Sequence, residues 1–150
     1  MDTKYWFLRL AFVLCLVPGC AHLKPSDTGS DGPQTYTLYP IGKVVKESEH
    51  TFIVLDKKYE PGLMGLDKFS HVTVVYWFDR NDTPRKRSIL QVHPQGNKTN
   101  PLRGVFATHS PVRPNLIAIS RCKIVSVEGN IIEVDGIDAF DDSPVIDLKN

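Results

Sequence analysis

Cysteine is scarce in this chain and poorly placed for cross-linking. There are three in 150 residues, and Cys15 and Cys20 both fall within residues 1–20. Cys122 is then alone in the remainder, so an intramolecular disulfide and a cysteine-rich zinc framework are excluded there. Cys122 stands in an apolar run, where a small buried core residue is expected. Other metal frames are missing as well. His71, His93 and His109 show no HExxH or paired-histidine spacing. Asp135, Asp138, Asp141 and Asp142 lack the alternating acids and the glycine of a calcium loop. No metal is expected. His109 beside Ser110 does not make a hydrolase, because neighbours on a strand point apart and no nucleophile elbow is present.

A basic excess is also absent. The chain has 18 Lys+Arg against 17 Asp+Glu, and 16 of each once Lys4, Arg9 and Asp2 are set aside. A dedicated nucleic-acid binder usually carries more positive charge than this. Arg80, Arg85, Lys86 and Arg87 form a local cluster, for which a solvated hairpin loop is the plainer reading. No internal repeat is present.

Residues 1–20 read as a bacterial signal peptide rather than part of a fold. Lys4 and Arg9 mark a charged start, and the apolar run at 10–17 is too short to span a bilayer as a helix. Val17-Pro18-Gly19-Cys20 looks like a lipobox, which would lipidate Cys20 and anchor the protein to the cell envelope. A plain secretory signal or an uncleaved membrane segment are the alternatives. Residues 21–35 include KPSDTGSDGPQT, too poor in apolar side chains to fold, and read as a flexible linker. Residues 36–150 are then one small domain with a single core.

Within that domain, 36–45 and 51–55 alternate apolar and polar residues and read as strands. Residues 59–69 place Leu63, Leu66 and Phe69 at helical spacing after Pro61-Gly62, which predicts a short helix. The apolar run at 71–78 suits a central strand. A turn at 80–84, a strand at 88–93 and a polar loop at 94–103 follow. Residues 118–127 and 130–135 are strands meeting at Glu128-Gly129-Asn130, a tight-hairpin signal, and 137–145 is acidic and loop-like. Many short strands with turns between them predict an all-β barrel with one or two short helices.

The stretch GVFATHSPVRPNLIAIS at 104–120 is the focal point. It reads as a short strand at 105–108, a stiff polar loop at 109–115 and an apolar strand at 116–119. Pro111 and Pro114 restrict their own φ and that of the preceding residue. A guanidinium held there, that of Arg113, loses little backbone entropy on binding. The same stretch resembles the signature of the TsaA-like (TrmO) family. Pro40-Ile41-Gly42, the run from Gly65-Leu66-Asp67-Lys68-Phe69-Ser70-His71 into Val74-Val75-Tyr76-Trp77-Phe78, and the closing GIDAFDDSPVIDLK at 136–149 fit in the same order. The resemblance covers residues 39–149.

It implies a small, usually dimeric β-barrel. It further implies S-adenosyl-L-methionine (SAM) as cofactor and methylation of N6-threonylcarbamoyladenosine in tRNA. Carried onto this chain, the cofactor site comprises Asp79, Arg80, His109, Arg113, Asn115, Ile119, Asp138, Asp141, Asp142, Ser143 and Asp147. No catalytic residue is assigned. Trp77 or Phe106 could face the sulfonium; read without the resemblance, both are core residues. Departures are present. His109 stands where the family has Arg, which weakens anion binding at neutral pH. Asp142 stands where it has Gly, which is expected to tighten that turn. Three readings follow: a tRNA methyltransferase; a lipid-anchored, non-enzymatic ligand-binding module on the same barrel; and a cytoplasmic enzyme with an uncleaved N-terminal segment.

Overall fold

The computed structural model describes Gly32 and residues 34–150. The signal-peptide expectation for 1–20, Cys20 included, and most of the 21–35 linker lie outside the described residues. Residues Tyr36–Asn150 form one compact unit.

Six strands close a barrel in the order β1-β2-β7-β6-β3-β8. They are β1 (Gly42–Glu47), β2 (His50–Leu55), β3 (His71–Trp77), β6 (Ile117–Glu128), β7 (Ile131–Asp135) and β8 (Pro144–Lys149). Every pairing is antiparallel. A two-stranded ribbon, β4 (Gln91–Val92) with β5 (Arg103–Gly104), stands apart from the barrel. The one α-helix among the described residues, α1 (Pro84–Arg87), is a single turn. Its start follows from Thr83, whose Oγ1 accepts from the Lys86 N–H at 3.3 Å, and from Pro84, which needs no N–H partner at the first helical position. The barrel expectation therefore holds.

Alternation sets which face of each strand is inside. Val72, Val74 and Tyr76 of β3 point inward, as do Ala118 and Cys122 of β6 and Ile132 and Val134 of β7. They pack with Val44, Ile53, Leu55 and Val145 in one core. Burying an Ile or Val side chain there contributes about 1.5–3 kcal/mol. The β6–β7 hairpin turns at Gly129, whose φ of 57° suits glycine, and the Asn130 amide donates across to the Leu55 carbonyl at 2.5 Å.

Several elements depart from the sequence expectation. The first strand begins at Gly42 rather than 36, because 36–40 has no strand partner. Residues 59–69 form two 3₁₀ segments, Lys57–Leu63 and Leu66–Lys68, broken at Gly65 with φ 82°. The strand expected at 88–93 shrinks to Gln91–Val92. The strand expected at 105–108 is a 3₁₀ turn, Val105–Ala107, closed by the Thr108 N–H on the Val105 carbonyl at 3.2 Å. Only Val105 is buried there, and Phe106 is 78% exposed rather than core. The segments 116–119 and 118–127 are one strand, β6. The most consequential departure is β8, whose first two residues the sequence reading gave to the acidic loop at 137–145 and whose remainder it left unassigned. Its two-residue period is broken by a bulge: Tyr76 pairs with Val145 but Val75 pairs with Asp147, leaving Ile146 over.

Gly42 lies where β1 meets both β2 and β8. A Cβ there would overlap the Val54 carbonyl oxygen and sit 2.6 Å from Leu55 Cα. Gly42→Ala is expected to cost about 3 kcal/mol and lower the thermal midpoint by roughly 10 °C or more; an unchanged melt would mean that β1 does not lie this close to β2. Cys122 is fully buried, and burial pushes its thiol up to about 11. The native thiol should resist a disulfide reagent at pH 8 and react only on unfolding. Since the unfolded thiol ionises first, its contribution to stability is complete below about pH 9 and declines from there to about pH 11. Rapid labelling of Cys122 itself in the native chain, read apart from Cys15 and Cys20 by peptide mapping, would contradict this placement.

Candidate functional site

The loop from 104 to 116 is fastened at both ends and stiffened between them. Val105 and Leu116 are buried anchors, and the Val105 N–H donates to the Leu90 carbonyl at 2.9 Å. Thr108 Oγ1 accepts from the Ser110 N–H, and Ser110 Oγ accepts from the Val112 N–H, both at 3.3 Å. These side-chain turns, with Pro111 and Pro114, leave the backbone few alternatives. His109 and Ser110 both lie in this loop, as expected for 109–115, and Ser110 is spent on holding it.

Arg87 clamps the loop from outside. Its guanidinium donates to the Pro114 carbonyl at 2.8 Å and, as a fork, to both Asp82 oxygens at 2.7 and 3.0 Å. The Trp77 indole N–H donates to Asp82 at 3.2 Å, and Arg87 lies 5.4 Å from the Trp77 ring centre. The hydrogen bonds from Arg87 and then Trp77 hold the Asp82 carboxyl below its ordinary value of 3.8. The cluster read as a solvated hairpin is therefore mostly structural. Lys86 donates to the Arg80 carbonyl and to Asn81. Arg80 lies 4.3 Å from the Phe140 ring centre and donates to the Asp141 carbonyl.

Three clefts meet beside this loop. The widest, about 760 Å³, is bounded by Phe106, Thr108, Arg113, Asn115 and Ile119 among others. A second, about 340 Å³, runs between Arg113, Ile119, Ser120 and Asp138 over Tyr76 and Phe78. A third, about 180 Å³, continues past Asp79, Arg80, Phe140 and Ser143. His109 borders all three. The size suits a drug-sized or cofactor-sized molecule. Of the residues expected at a site, Asp79, Arg80, His109, Arg113, Asn115, Ile119, Asp138 and Ser143 line these clefts. Asp141, Asp142 and Asp147 do not. Asp141 accepts from the Lys46 N–H at 2.9 Å, and Asp142 pairs with Lys43 at 2.7 Å. Asp147 pairs with Lys149 at 3.0 Å and accepts from the Leu148 N–H. Asp142 occupies a left-handed turn position, φ 65°, that a glycine would adopt freely. Trp77 faces a separate groove with Tyr36, Leu38, Pro40, Pro144 and Ile146.

The sequence reading missed Tyr76, Phe78 and Phe140 as site residues. Tyr76 Oη donates to the Asp138 carbonyl at 2.9 Å and lies 3.3 Å from Ser120 Oγ. Burial raises its ionisation above the ordinary value of 10, so the phenol stays neutral. Phe78 packs edge-on to it at 5.7 Å. A tyrosine within an otherwise apolar run was the available signal, since a buried hydroxyl needs a partner. Among the described residues, neither Arg113 nor His109 makes a side-chain hydrogen bond or ion pair. A stiff loop thus presents two uncommitted cationic or titratable groups to clefts walled by aromatic rings. Among the described residues no three metal-ligating side chains gather, and no helix is long and apolar enough to cross a membrane.

Residues 34–150 match the family model of the tRNA-methyltransferase O N-terminal domain. The chain belongs to the TrmO N-terminal domain family. A probable S-adenosyl-L-methionine-binding protein of Methanocaldococcus jannaschii is 44% identical over 114 residues, covering 76% of this chain and 90% of that one. A probable S-adenosyl-L-methionine-binding protein of Pyrococcus horikoshii is 42% identical, covering 77% and 82%. The human tRNA (adenine(37)-N6)-methyltransferase is 41% identical over 91 residues, which is 60% of this chain but 20% of that protein. The crystal structure of TrmO from Pseudomonas aeruginosa superposes with a TM-score of 0.60 at 25% identity, covering 79% of this chain and 55% of that one. The chain thus spans most of the length of the two archaeal relatives and about half of the TrmO structure.

If Arg87 fixes the TrmO-type loop, Arg87→Ala and Asp82→Asn should each lower the thermal midpoint by a few degrees at pH 7. Asp82 is held below its ordinary value, so its contribution is present above about pH 4 and is lost as pH falls through the folded value. The difference between wild type and Asp82→Asn should therefore shrink as pH falls below about 4. A difference that stays constant through the acid range would assign the effect to packing instead.

Proposed function

We propose that this chain binds S-adenosyl-L-methionine in the three connected clefts and methylates N6-threonylcarbamoyladenosine in tRNA. The observation that carries the reading is the uncommitted Arg113 on a clamped loop, facing clefts walled by Tyr76, Phe78 and Phe106, in a chain of the TrmO family. The donor set fits the cofactor. Arg113 suits a carboxylate, the aromatic faces suit a purine or a sulfonium, and Asp79 and Asp138 suit hydroxyls or an ammonium. The cofactor, when bound, supplies an activated methyl group. The chain's own contribution is then positioning: the stiff loop fixes Arg113, Tyr76 holds the 138 backbone in place, and the rings exclude water. The names of the archaeal and human relatives support this reading.

A homodimer accords with it, because Phe106 is 78% and Ile119 59% exposed beside the widest cleft. The alternative is a lipid-anchored, non-enzymatic binding module. It is favoured by one observation, the signal-like residues 1–20 ending in Cys20. Protease accessibility in intact cells separates an envelope protein from a cytoplasmic one.

Calorimetric titration of the full chain with SAM is the direct test. Micromolar binding is expected, weakened about tenfold or more in Arg113→Ala. A folded chain that ignores millimolar SAM would overturn the proposal. SAM binding without methyl transfer to tRNA would favour the binding module.

A further inference from the structure

The strand register sorts the outer barrel wall into a pattern that the clefts do not use. On β6 the outward residues are Ile117, Ile119, Arg121 and Lys123, because Ala118 and Cys122 are buried. On β3, Thr73 lies beside Arg121 and His71 beside Lys123. On β8, Lys149 lies on the other side of Thr73. Ile117 and Ile119 border the widest cleft. The next outward positions along the same strand are cationic. Alternate residues of a strand are about 6.5–7 Å apart, so Arg121 and Lys123 continue in single file from the cleft edge.

These two side chains are available. Both are exposed, and among the described residues neither makes a side-chain hydrogen bond or an ion pair. Asp135 is the cross-strand neighbour of Lys123, yet no ion pair joins them. Asp147 is occupied by Lys149 at 3.0 Å. By contrast, Arg80, Lys86 and Arg87 are committed to internal partners. The basic cluster most obvious in the sequence is thus largely spent, while two cations separated by Cys122 in sequence are free on one face.

We propose that the outer face of β6, flanked by β3, is a polyanion track on which Arg121 and Lys123 hold the sugar–phosphate backbone of the RNA whose base enters the cleft at Ile119. The inference rests on the reading of RNA as the substrate. A line of cations fits a single backbone, which needs neutralisation only along its path. An anionic bilayer plane fits less well, because it would also meet Asp135 and Asp147 on either side of the line.

The test uses the full chain. Binding of a tRNA transcript is followed by fluorescence anisotropy between 50 and 200 mM salt. The double variant Arg121→Ala/Lys123→Ala is set against a charge-matched control, Lys57→Ala/Lys58→Ala, and SAM titration of every variant reports separately on the cofactor site. The track predicts that the double variant binds tRNA about tenfold more weakly at 150 mM salt, with the log–log salt slope reduced by about 1.5. SAM affinity and the control should match wild type. Equal loss in the control, or no loss in the double variant, overturns the track while leaving the cofactor reading intact. A wild-type chain that binds SAM but not tRNA overturns it too, and takes the RNA substrate with it. Wild-type binding to phosphatidylserine vesicles that the double variant loses, with tRNA binding unchanged, would reassign the strip to a membrane surface.

Discussion

Closure of the barrel by β8 is the constraint on which the site depends. This strand lies between β1 and β3 and joins the two edges of an otherwise open sheet. Its approach segment is pinned by backbone hydrogen bonds: the Asp142 N–H reaches the Val44 carbonyl at 2.9 Å, and the Val44 N–H reaches the Ser143 carbonyl at 3.0 Å. The 138–143 segment is thereby held against the barrel, and it forms one wall of the narrow cleft. An open sheet would leave that wall without support and would expose two unpaired strand edges. Asp142 illustrates the constraint. It keeps a left-handed turn without glycine, and its side chain pairs with Lys43 on the strand it must approach.

The opposite wall is held differently. The 104–116 loop is secured by Arg87, through a carbonyl rather than through side chains of the loop itself. That arrangement matters for binding, because it fixes the backbone without occupying Arg113 or His109. Most of the neighbouring cations hold the scaffold, while Arg113 and the His109 ring on the loop face open space. The division follows from chemistry. A guanidinium fork can satisfy a carboxylate and a carbonyl together, which suits a clamp.

The barrel was legible in the sequence where the two-residue period was intact. β3 and the β6–β7 hairpin lie within about a residue of their expected positions, since Val72, Val74 and Tyr76 alternate cleanly and Gly129-Asn130 is a strong turn. β8 was missed for a physical reason: its bulge shifts Ile146 out of phase and two acidic residues precede it, so local pattern points to a loop while tertiary pairing makes a strand. The reverse error occurred at 105–108, where β-branched residues suggested a strand but no partner lies alongside. The candidate site shows the same division. Loop residues such as Arg113 and Asn115 could be named from a motif. Tyr76 and Phe78 could not, because a strand carries them and only closure of the barrel brings them under the loop. Asp141 and Asp142 were misleading for the same reason: their sequence neighbours line a cleft, but their own side chains turn back to β1.

Near-zero net charge is compatible with recognition of a polyanion when the strands segregate charge. The same alternation that buries Cys122 places Arg121 and Lys123 together on the outside, since they flank it on one strand. Composition averages over that geometry and over the committed cations of the α1 region. What an anion meets is local charge left unpaired after folding, and the screening length in physiological salt is about 8 Å, close to the spacing along one strand face. A balanced chain can therefore present a narrow cationic line without being a basic protein. The narrowness carries its own consequence: attraction confined to one line orients a bound strand along β6, whereas a broad patch would only concentrate it. The line starts at Arg121, the next outward position after Ile119 at the cleft edge, so under the proposed track orientation and delivery to the cleft would fall to the same few residues.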